Sequence, residues 1–147
     1  MNLEISYAEF GVRPPVQKAI PEFLLEIGEE GLRKLVSDHY DAIKESDIKH
    51  LFPVDNDAEF ALAKKHSADF MIQICGGPAY FNQSRGAPQM VGRHAPFRID
   101  AKARETWLKL YRPLMQKLVD EKGITERSVE SFWNYLNIFS LWMVNTK

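Results

Sequence analysis

The stretch Arg93-His94-Ala95-Pro96-Phe97-Arg98 decides how this chain is read. Pro96 disfavours helical backbone at the residue before it, which places His94 in the last turn of a short helix. From that position one ring nitrogen can donate to a nearby carbonyl, fixing the tautomer and leaving the other nitrogen for a metal. Arg93 and Arg98 flank the histidine and suit an anionic carboxylate, because guanidinium and carboxylate pair as matched forks. Solvated loop charge is the alternative for both arginines. The run lies between Gly76 and Ile99, where four glycines and three prolines interrupt any regular period, so this segment reads mostly as loop. A loop of about twenty residues inside one domain is uncommon and usually functional or disordered. Three charged or metal-ligating side chains favour function.

Outward from this segment the pattern is helical. Leu32, Leu35, Val36, Tyr40 and Ile43 form one amphipathic face, and Pro53 closes the segment that follows. Residues 58–75 repeat the period through Ala63, Phe70, Met71 and Ile74, and Gly76-Gly77-Pro78 ends that helix as a glycine cap followed by proline. A third period runs through Trp107, Leu108, Tyr111, Leu114, Met115 and Leu118, and a fourth through Val129, Phe132, Trp133, Leu136, Phe139 and Met143. Pro113 falls inside the third helix and predicts a kink or a break there. Strand alternation is absent, so the fold class is all-α. Residues 1–13 show no period and Pro14-Pro15 favours extended backbone. The division expected is an arm over residues 1–20, folded back or frayed, and a helical domain over 21–147.

Composition narrows the function. The 147 residues suit one domain. The net charge of −1 comes from 19 basic and 20 acidic residues mixed along the chain, which argues against nucleic acid or a membrane surface as partner. Charged residues interrupt every apolar run short of a membrane span. Cys75 is the single cysteine, so no intramolecular disulfide forms and a reducing, cytoplasmic location is expected. His39, His50, His66 and His94 make no pair at zinc-binding spacing, and no nucleophile elbow, P-loop or dinucleotide glycine pattern occurs.

Several short motifs then stand in order: Gly76-Gly77-Pro78, Arg85-Gly86-Ala87-Pro88, Arg93-His94-Ala95-Pro96-Phe97-Arg98-Ile99, Arg104, and Trp107-Leu108. Together they resemble the group II truncated haemoglobins, over about 115 residues from near Gly28 to the C-terminus. The resemblance implies a truncated globin, two helix pairs sandwiching haem b (iron protoporphyrin IX), with the proximal helix reduced to about a turn. It implies His94 as the iron ligand and Tyr40 as the distal tyrosine. Phe52 would pack on the haem at the inter-helix corner, Trp107 would be the distal tryptophan, and Ala63 and Ser67 would face the haem from the distal helix. Their spacing of four puts both on one face. Phe70 and Phe97 complete the expected contacts, with Arg93 and Arg98 toward the haem propionates.

The chain also departs from the family pattern. Ser67 stands where a bulkier residue is more common, Phe81 where tyrosine is common, and Ala87 where histidine is often found. The corner after Phe52 reads as longer. A slip of one residue there would turn His66 toward the iron as a sixth ligand; in the expected register it lies at the pocket edge, and the ferrous iron is five-coordinate. The function implied is reversible binding of dioxygen, carbon monoxide and nitric oxide, for storage or sensing. The alternative is a haem redox enzyme turning over peroxide, nitric oxide or nitrite with an unknown reductase. A helical interaction module without haem is a third reading.

Overall fold

Gly28 takes φ 73° and ψ 163° inside the first long helical stretch, a left-handed φ that a residue without Cβ adopts at little cost. Helix α1 (Pro21–Lys44) is therefore two helical segments joined at a bend, opened by a proline in its first turn. The computed structural model describes all 147 residues. After α1 come a 3₁₀ turn (Lys49–Leu51), α2 (Asp57–Ile74), α3 (Tyr80–Arg85), α4 (Met90–His94), α5 (Ala101–Lys122) and α6 (Glu126–Met143), with no strand. None of these helices is long and apolar enough to cross a membrane.

Local chemistry sets the helix ends. Asn56 and Asp100 accept the backbone N–H of Glu59 at 2.9 Å and of Ala103 at 2.8 Å, and Thr125 does the same for Ser128. Gly123, at φ 69°, ends α5, and Ile124 N–H returns to the Leu118 carbonyl. Helix α1 packs on α2 and α5 on α6, while α1 also meets α5 and α6, giving two helix pairs around one core. Phe23, Leu32, Val36, Leu108, Met115, Phe132 and Leu136 are fully buried between them, and the Phe23 and Phe132 rings stack at 4.5 Å.

Three expectations take definite form. The segment read mostly as loop holds the short helix expected to end at His94, α4, and a second, α3, too brief to show a period in sequence. Pro113 neither breaks nor ends α5. Pro113 and Lys109, whose carbonyl the proline leaves without an N–H partner, are both exposed, the side of a helix on which a freed carbonyl is tolerated. The arm does not fray: it lies along α5 and α6, with Arg112 Nε donating to Leu3 O at 3.0 Å, Trp133 Nε1 to Glu4 O at 2.8 Å and Trp142 Nε1 to Pro14 O at 2.7 Å.

Candidate functional site

Between the two helix pairs opens a cleft of about 520 Å³, walled by α1, α2, α4, α5, α6 and the corner at Phe52. Ten of the expected residues line it: Tyr40, Phe52, Ala63, His66, Ser67, Phe70, Arg93, His94, Phe97 and Trp107. Arg98 does not. It is exposed at the surface, because the strap after Pro96 is tied to Asn145, whose amide donates to the His94 and Phe97 carbonyls and accepts from Ile99 N–H.

His94 ends α4, and its Nδ1 lies 2.7 Å from the Met90 carbonyl one turn earlier. A carbonyl only accepts, so Nδ1 carries the proton and Nε2 presents a bare lone pair. No three His, Cys, Asp or Glu side chains gather into a metal cluster, so the donors the cleft offers are the separate imidazoles of His94 and His66 in a largely apolar lining. That suits a metal bringing its own equatorial ligands, as haem iron does.

Arg93 lines the cleft with most of its guanidinium already engaged. Its Nε donates to Pro88 O at 2.6 Å and its Nη2 to Arg85 O at 2.9 Å and Ala87 O at 3.1 Å, which locks the loop between α3 and α4. Only Nη1 is left without a protein partner. Its guanidinium also stacks over Phe81, 5.1 Å from the ring centre. Arg85, passed over as a ligand contact in the sequence, lines the cleft as well. His66 Nδ1 is buried there without a partner. Burial, then the charges of Arg85, Lys65 and Arg93, depress its pKa against the opposing pull of Asp69.

On the opposite wall Tyr40 is held by Phe52, edge-on at 5.4 Å, and by Phe60 at 5.8 Å. Burial raises its pKa, partly offset by a hydrogen bond with Ser67, so the phenol keeps its proton at neutral pH and remains a donor. Trp107 is half-buried on the same wall. Behind them lies His39, fully buried, its ring stacked on Tyr111 at 3.5 Å and edge-on to Trp107 at 5.3 Å. His39 Nε2 donates to the Trp107 carbonyl at 2.9 Å and its Nδ1 has no partner. Desolvation pushes its pKa down to about 3. The sequence assigned His39 no role; its place at i+3 from Val36 on the apolar face was the available signal.

The description "Bacterial-like globin" matches residues 26–145. The chain belongs to that family, and membership implies haem binding. Within it the chain is similar to Group 2 truncated hemoglobin YjbI of Bacillus subtilis (strain 168), with 31% identity over 81% of this chain and 85% of that protein. Among solved structures it is similar to phosphate-bound Hell's gate globin IV, with TM-score 0.84 and 36% identity over 97% of this chain and 86% of that one. The Group II truncated hemoglobin from Bacillus anthracis superposes with TM-score 0.74 and 27% identity, over 86% of this chain and 96% of that one. The all-helical arrangement is thus the truncated globin fold.

Proposed function

We propose that this chain binds haem b in the cleft, where His94 Nε2 would hold the iron, and that it reversibly holds dioxygen and other diatomic gases near Tyr40 and Trp107. The observation that carries this reading is the 2.7 Å contact from His94 Nδ1 to the Met90 carbonyl, which orients the ring and leaves Nε2 free. Phe52, Phe70, Phe97 and Met90 line the cleft with the flat apolar surface a porphyrin needs. Bound, the haem supplies the iron and its redox and gas-binding chemistry. The chain's residues supply orientation, exclusion of water and hydrogen bonds.

Tyr40 O–H and Trp107 indole N–H are donors in a mostly apolar space, and donors fixed in advance favour a ligand on which negative charge develops. Dioxygen gains such charge and carbon monoxide gains little, so the cleft favours retention of oxygen for storage or sensing. Arg85, the free Nη1 of Arg93, and His66 form the polar edge of the cleft and would hold the carboxylates of the bound haem, a reading supported by the influence of both arginines on the His66 ring. His66 would then stand at the edge, outside the iron's ligands.

Absorption spectra of ferric, ferrous, oxygenated and carbon monoxide forms test the reading. A Soret band with a five-coordinate histidine-ligated ferrous spectrum and a stable oxygenated form is expected. A chain that takes up no haem overturns it, and a six-coordinate ferrous spectrum abolished by His66→Ala overturns the placement of His66.

A further inference from the structure

Arg104 is a buried cation, 3% exposed, that touches no carboxylate. It lines the cleft next to Ala103 and one turn before Trp107 on α5. Every partner of its guanidinium is neutral. Nε donates to Ser140 Oγ at 2.8 Å, Nη2 to Asn137 O at 2.6 Å and Asn137 Oδ1 at 2.9 Å, and Nη1 to Ser6 O at 2.7 Å. A buried charge without a counter-ion depends on its hydrogen bonds all being present. Burial accordingly lowers the pKa of the group.

Ser6 belongs to the N-terminal arm. Besides accepting from Arg104, it donates its N–H to Asn137 Oδ1 at 2.9 Å, and its Oγ accepts from Asn137 Nδ2 at 3.0 Å. Arg104, Asn137 and Ser6 thus close a ring of hydrogen bonds that joins α5, α6 and the arm directly behind the cleft wall. Phe139, Ser140 and Met143 of α6 line the cleft beside this ring. The family match begins at residue 26, so the arm lies outside the matched region.

We propose that Arg104 is a positioning residue through which the arm becomes a working part of the cleft: arm docking on Arg104 sets α5 against α6, and with it Trp107, and haem in the cleft in turn holds the arm down. This rests on the cleft being the haem site. Coupling of two sites through one shared element is reciprocal, so each half of the statement is measurable. The outward side chains Tyr7 and Phe10 are exposed, while Leu3 and Ile5 pack partly buried against the core. That apolar packing is not directional, so the hydrogen bonds of Ser6 with Arg104 and Asn137 fix where the arm sits on α5 and α6.

The test uses the full-length haem-loaded chain, a variant lacking residues 1–14, and Arg104→Met and Arg104→Lys. Haem transfer to an acceptor globin, the carbon–oxygen stretch of the carbon monoxide form, and hydrogen exchange at the Ser6 amide with and without haem are measured. Deletion and Arg104→Met are expected to speed haem loss about fivefold or more and to shift the stretch. An ammonium keeps the charge but lacks the guanidinium fork, so Arg104→Lys should behave like Arg104→Met. A synthetic peptide of residues 1–14 added to the shortened chain should restore the full-length stretch. In the unaltered chain, haem removal should speed Ser6 exchange, a readout independent of whether any variant folds. Equal Ser6 exchange with and without haem, or an unchanged stretch after deletion, overturns the proposal. A full-length chain with no Soret band overturns the haem reading and this one together, whereas a normal Soret band with unchanged exchange overturns this one alone.

Discussion

His94, Tyr40 and Trp107 act one side chain at a time, and their consequences belong at that scale. If His94 supplies the one protein bond to the iron, His94→Gly should lose stable haem and regain it when imidazole is added to the buffer; a variant that keeps a histidine-ligated ferrous spectrum without imidazole rules the assignment out. Tyr40→Phe and Trp107→Phe should each raise the oxygen dissociation rate roughly three- to tenfold, since a neutral hydrogen bond contributes about 0.5–1.5 kcal/mol and about 1.4 kcal/mol is a factor of ten. If both donors serve one small ligand, the double variant should be non-additive by more than about 0.5 kcal/mol. Carbon monoxide dissociation should move much less; stopped-flow measurement of both gases decides between hydrogen bonding and packing. His39 gives a pH effect of known sign. Its pKa is about 3 when folded against the ordinary 6.5, so below 6.5 the unfolded chain binds a proton that the folded chain refuses until about pH 3. Its contribution is whole above 6.5 and is lost as pH falls toward 3, at up to about 1.4 kcal/mol per pH unit. Denaturant titrations of His39→Phe should show that acid slope reduced by one proton; an unchanged slope would mean the ring is not buried neutral.

At the scale of elements, the junction between α2 and α3 shows why Gly76-Gly77-Pro78 ends a helix here. Gly76 takes φ 98°, and a Cβ at Gly77 would sit 2.9 Å from the Ile72 carbonyl oxygen and 3.0 Å from Leu24 Cδ2. The backbone cannot give way as a flexible side-chain tip can. Gly77→Ala should cost about 1–3 kcal/mol, the range for overpacking, seen as a lower denaturation midpoint. An alanine variant as stable as the parent would show that this junction has slack. The glycines were visible in sequence as a helix stop; the closest approach to the second of them comes from Ile72 in the last turn of α2, and packing of α1 on α2 adds the Leu24 contact. Arg93 and Arg98 make the same point. Both flank His94 in sequence, but Arg93 is drawn onto three loop carbonyls and Arg98 onto the surface, because the fold of the strap, rather than the spacing, aims each guanidinium.

For the whole molecule, the cleft interrupts the core with about 520 Å³ between two helix pairs that otherwise pack directly. A group that fills it and binds only the folded chain stabilises that chain by mass action, by about 4 kcal/mol when present at a thousand times its dissociation constant. Haem loading should therefore raise the thermal midpoint substantially, and His94→Gly should remove most of that increment; calorimetry of apo and loaded protein checks both. An apo chain as stable as the loaded one would mean that the cleft closes on itself.

Local chemistry and period were legible in the residues before any fold was known. Apolar residues three and four apart specify α1, α2, α5 and α6 because a helix has a fixed repeat, and His94 followed by Pro96 specifies a histidine at a helix end. The aromatic and small residues of the cleft, Tyr40, Phe52, Ala63, Ser67, Phe70 and Trp107, were legible for the same reason together with the family resemblance. Packing settled the rest: which arginine faces the cleft, that His39 stands behind Trp107, and that the arm docks instead of fraying. Those depend on partners far apart in the chain, as Ser6 and Asn137 are, separated by 131 positions. A hydrogen bond between such residues leaves no period in sequence, and it exists only once the helices that bring its two ends together have packed.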